Sequence, residues 1–110
     1  MNHQKLHCYL RLVRLVEALQ RHMPQWPRGY GALADQLRRA SISGVLNLVE
    51  GNGRESPRDR RRFFVTSTSS LAEVDACLDL VKVFAIAQSG EVEAWQAELR
   101  QVYAMIRGLR

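Results

Sequence analysis

Residues 37–64 read LRRASISGVLNLVEGNGRESPRDRRRFF, and this stretch decides the fold. Its first half keeps a helical period. Leu37, Ala40, Val45 and Leu48 supply an apolar face, and Arg39, Ser43, Asn47 and Glu50 gather on another side. The small residues Ala40, Ser41, Ser43 and Gly44 allow a second helix to approach closely. Gly51-Asn52-Gly53 then predicts a turn, with a left-handed Gly51 ending the helix. A new helix starts at Ser56, which can cap it. Pro57 sits where a missing N–H is harmless, and Asp59 is placed to close a capping box. The reading is helix, sharp turn, helix, with a polar seam and an arginine-rich corner. No reaction is spelled out.

Working outward, helix 1 is predicted over residues 3–22 from Leu6, Tyr9, Leu10, Val13, Val16 and Leu19, widened by Leu12 and Leu15. Pro24 and Pro27 close it, with Trp26 between them. Helix 2 is predicted to run from Gly31 to Glu50, with Ile42 and Val49 beside its apolar face. Helix 3 is predicted from Pro57 to Gln88. Its Val65–Ser70 run favours a strand by propensity. Phe63, Ser67, Ser70, Val74, Cys77, Val81 and Phe84 nevertheless form one helical face, and hydroxyls there can bond back to carbonyls four residues earlier. Ser89-Gly90 is read as the end of helix 3, and helix 4 as residues 91–109, with Val92, Trp95, Leu99, Val102, Ile106 and Leu109 inward. Four helices, short connections and no strands predict an all-α, antiparallel up-down-up-down four-helix bundle, one domain over residues 1–110. Helices 1 and 4 carry more apolar surface than one small bundle needs, which predicts a homo-oligomer.

Composition narrows the function classes. An apolar content of 46% argues against disorder. With 16 basic against 11 acidic residues the net charge is +5, which favours anionic partners. The start of the chain has no signal-peptide apolar run, and no stretch reaches the length of a membrane span. The expected location is therefore the cytoplasm, with no membrane partner. Cys8 and Cys77 form no motif and read as small apolar thiols. His3 and His7 stand at metal-ligand spacing, but nothing on the helix completes a site. No nucleophile–base–acid set, metal box or phosphate loop is present, so neither an enzyme nor a cofactor is expected.

Two clusters remain. Arg38, Arg54, Arg58, Arg61 and Arg62 form a candidate nucleic-acid-binding patch, with Arg60 leaving on another side. Such contacts would be sequence-tolerant and salt-sensitive. Solvation and pairing with Glu55 and Asp59 is the plainer reading. Arg39, Ser43, Asn47, Glu50, Ser70 and Glu73 form a candidate structural seam between helices 2 and 3. In it, Glu73 is expected either at the surface or against Arg39 or Arg54.

The segments Gln36-Leu37-Arg38-Arg39-Ala40, Asn47-Leu48-Val49-Glu50-Gly51-Asn52-Gly53-Arg54, Arg62-Phe63-Phe64 and Ser70-Leu71-Ala72-Glu73 resemble a known family pattern. It is that of the four-helix proteins encoded within intervening sequences of bacterial 23S ribosomal RNA genes. That family also includes the accessory variability determinant of diversity-generating retroelements. The sequence departs from the pattern at Gly44 and Ser69. The resemblance implies a ring-shaped homopentamer, and partners that include RNA or DNA and a reverse transcriptase or other nucleic-acid-handling protein. The expected function is a non-enzymatic oligomeric scaffold that binds such partners through its basic patch. The alternative is a protein-binding adaptor without direct nucleic-acid contact.

Overall fold

A computed structural model describes all residues, 1–110, and is all-α, with four α-helices and no strand. A short 3-10 turn, Asn2–Lys5, precedes α1 (His7–His22). A second 3-10 turn, Met23–Gln25, leads to α2 (Gly31–Gly53), followed by α3 (Pro57–Val83) and α4 (Ser89–Arg107). One cluster of 19 buried apolar residues draws on every helix, with Leu12, Leu37, Leu48, Phe64, Leu78, Val81, Val92 and Ile106 among its most enclosed members. No helix is long and apolar enough to cross a membrane.

Several helix boundaries differ from the sequence reading, for local reasons. Helix 2 does not stop at Gly51; it continues to Gly53, and Arg54 leaves it in an extended conformation. Gly51 serves packing instead of a left-handed turn. A Cβ built there would lie 2.7 and 2.8 Å from ring carbons of Phe64 and 3.2 Å from the carbonyl oxygen of Arg60. Helix 3 ends at Val83, not Gln88. The Ile86 N–H bonds to the Val81 carbonyl at 2.9 Å and the Ala85 N–H to the Lys82 carbonyl at 3.0 Å, with Ala85 at φ 53°. That is the Schellman closure with alanine in the place usually held by glycine. Ser89-Gly90 therefore opens α4 instead of closing α3. Helix 1 is broken at Leu6, whose extended backbone separates the 3-10 turn from α1.

The α2–α3 pair is the most intimate contact. Ser67 donates its hydroxyl to the Gly44 carbonyl at 2.7 Å, and a Cβ at Gly44 would meet Leu71 Cδ2 at 2.6 Å. Tight packing, anticipated for Gly44, is therefore its role. Thr66 and Thr68 bond back to the carbonyls of Arg62 and Phe64, both at 3.1 Å, which keeps the hydroxyl-rich centre of α3 helical. The core face of α1 is Cys8, Leu12, Leu15 and Leu19, so Leu10 and Val13, expected on the buried stripe, lie off that face, and both residues are exposed. The uncovered apolar surface also differs in place. It lies on α1, α2 and α3, while the large apolar side chains of α4 are buried or half-buried.

Candidate functional site

The corner is built by the turn from α2 into α3. Ser56 caps α3 by accepting the Asp59 backbone N–H at 3.3 Å, and Pro57 opens the helix. The following turns project Arg58, Arg61 and Arg62 into solvent. They line, with Asp59, Val65 and Thr66, an open concavity of about 670 Å³. Arg58 and Arg61 have no ion partner, and Arg62 only approaches Asp59 at 3.9 Å. Arg54 and Arg62 place their guanidinium groups 4.8 and 4.9 Å from the Phe63 ring centroid. Such stacking holds two long side chains in place without neutralising them. Arg54 also pairs with Glu50 at 3.3 Å, one helical turn away.

Arg60 has a different job. It donates to the carbonyls of Asn52 at 3.0 Å and Arg54 at 3.2 Å, and lies 5.4 Å over Phe64. A charged donor thus satisfies carbonyls at the C-terminal end of α2, where positive charge also suits the helix dipole. Helical angle separates Arg60 from its neighbours in the sequence but gives it no role. The signal that could have found it is its position beside Phe64, across from the end of α2.

Arg38 is not part of the corner. It lies 16 residues before Arg54, about 24 Å along the helix axis at ~1.5 Å per residue. There its Nε donates to Gln20 Oε1 at 2.9 Å, and its Nη1 bonds Asp35 at 3.2 Å. The seam is also smaller than the sequence suggested. Ser43 and Ser70 share a hydrogen bond of 2.7 Å, and Asn47 donates to the Ser43 carbonyl at 2.9 Å and hydroxyl at 3.2 Å. Ser67 joins from α3. Glu50 points outward to Arg54. Arg39 and Glu73 are both exposed, and neither pairs with the other or with Arg54. Short polar side chains suit this contact because two backbones approach there; a guanidinium–carboxylate pair would need space that Gly44 and Ser67 close off.

Two polar ties outside these clusters escaped the sequence reading. Gln96, buried on α4, donates to Asp79 Oδ1 at 2.7 Å. At the end of the core, Trp26 Nε1 donates to His22 Nδ1 at 3.0 Å, and His22 packs edge-on against Trp95. Neither pattern has a short sequence motif. The two thiols are buried and free. Burial pushes both above their ordinary value, and the Glu73 carboxylate adds to the rise at Cys77. No three His, Cys, Asp or Glu side chains gather closely enough to hold a metal ion.

The chain is thus a small four-helix all-α protein whose densest charge is a run of arginines at the start of one helix. A family model described as 23S rRNA-intervening sequence protein matches residues 4–108, and the chain belongs to that family. No curated protein matches the chain.

Proposed function

We propose that this protein is a non-enzymatic, homo-oligomeric helical scaffold of the cytoplasm. It binds nucleic acid, or a protein that handles it, through the corner formed by Arg54, Arg58, Arg61 and Arg62. The observation that carries the reading is that Arg58 and Arg61 stand exposed and unpaired beside the α3 N-terminus, whose own partial charge favours anions. Concentrating like charge there opposes folding slightly, and phosphate relieves that opposition. A pentameric ring would present the corner five times and raise avidity without any new contact. The scaffold is an antiparallel up-down-up-down bundle. Supporting that arrangement, Arg11 meets Glu98 and Met105 while His22 meets Glu91 and Trp95. Likewise Gly44 faces Leu71 while Gly51 faces Phe64.

The test is fluorescence anisotropy of short labelled RNA and DNA across a salt series. Affinity that falls steeply with salt for both, with weak sequence preference, is expected. Failure to bind either at low salt would leave the protein-adaptor reading in its place.

A further inference from the structure

Two apolar faces of the protomer have nothing over them. The first lies between α1 and α2, where Val13, Val16, Val45, Ile42 and Leu46 line a cleft of about 270 Å³, and Ile42 and Leu46 are 55% and 60% exposed. The Ser41 side chain also lines this cleft; the residue is only 3% exposed, yet its hydroxyl has no hydrogen-bond partner. The second face runs down the outside of α3. Ser69, Ala72, Ala76, Leu80 and Val83 recur every three or four residues, all exposed and none charged.

We infer that the α1–α2 face of one copy receives the outer face of α3 of the next copy, with Ile42 and Leu46 seated over the small residues Ser69, Ala72 and Ala76. This pairing rests on the homo-oligomer reading above and assigns its surfaces. Three observations make a second copy the occupant. Large side chains on one face match small ones on the other, as interlocking helices require. Heights also match: Ser43 meets Ser70 and Gly44 faces Leu71, so Ile42 stands level with Ala72. Copies joined at equal height close into a ring instead of climbing into a filament. Finally, the borders are complementary in charge. Arg39 flanks the first face and Glu73 the second, both exposed and without an ion partner in the protomer. Joining two α1–α2 faces would instead oppose arginine to arginine.

The experiment mixes chains carrying Ile42→Cys with chains carrying Ala72→Cys, treats them with a short thiol-to-thiol crosslinker, and maps the linked peptides by mass spectrometry. Wild type is the control, because Cys8 and Cys77 are buried. Light scattering of the same samples reports mass, and circular dichroism reports folding; Ala76→Cys replaces Ala72→Cys should the latter lose helix. The expected result is a 42–72 link in the mixture and no link within either single-variant pool. A 42–42 link, or oligomers that give no 42–72 or 42–76 link, would overturn the pairing while leaving homo-oligomerisation standing. Monomers at all micromolar concentrations would remove both.

Discussion

Replacing Gly51 with alanine sets two opposing terms against each other at one atom. Alanine in a helix interior gains roughly 0.5–1 kcal/mol over glycine. Against this, the new Cβ would sit 2.7 Å from the Phe64 ring and 3.2 Å from the Arg60 carbonyl. Phe64 is fully buried and Arg60 is tied to α2 by its own hydrogen bonds, so neither can yield freely. Overpacking of this kind costs about 1–3 kcal/mol. With both neighbours held, the upper part of that range applies, about 2–3 kcal/mol, and after the helix gain Gly51→Ala should reduce stability by about 1–2.5 kcal/mol. Gly44→Ala is the internal comparison: its new Cβ meets Leu71 Cδ2 at 2.6 Å, but that is the tip of a flexible side chain and the next backbone atom is 3.8 Å away. The loss there should be smaller by about 1 kcal/mol or more. Urea unfolding at fixed subunit concentration measures both. A Gly51→Ala protein as stable as wild type, or one more stable than Gly44→Ala, would refute the close α2–α3 packing.

Other outcomes follow from single side chains. Arg60→Gln should destabilise by about 1–2 kcal/mol through removal of charged donors to two carbonyls, whereas Arg61→Gln, with the same charge change, should stay within about 0.5 kcal/mol in urea unfolding. Ala85→Gly should stabilise by about 0.5–1 kcal/mol in the same assay, since glycine enters the left-handed region without strain. Cys8 and Cys77 have folded-state values above their ordinary 9.0, so the unfolded chain gives up these protons first. Their contribution to stability is intact below about pH 9 and declines as pH rises beyond it, which thermal melts between about pH 7 and about pH 10 would follow.

Most of the architecture was legible because periodicity reports burial. The faces through Ser67, Val74, Cys77 and Val81 on α3 and through Val92, Leu99, Val102 and Ile106 on α4 are buried as expected. Helix ends were read less well, because glycine has more than one use. Gly51 and Gly90 looked like stops but lie inside helices, while the real stop at Ala85 carries no glycine at all. In the corner, helical angle grouped Arg58, Arg61 and Arg62 and set Arg60 apart. Arg38 was grouped by sequence proximity, which a long helix converts into distance. The seam keeps its short members, Ser43, Asn47 and Ser70, while Arg39, Glu50 and Glu73 turn to the surface. Chain pattern places a residue on a face, but close backbone approach decides which side chains fit there.

The most direct test compares wild type with a protein carrying Arg58→Gln, Arg61→Gln and Arg62→Gln together, titrating a short labelled RNA at several salt concentrations. These side chains are exposed, so helix content and particle mass should match wild type. A phosphate-binding corner predicts weaker binding for every sequence tried, and a plot of log affinity against log salt whose slope is shallower by about 1 for each phosphate no longer neutralised. Identical slopes for the two proteins, or no salt-dependent binding by wild type, would contradict it.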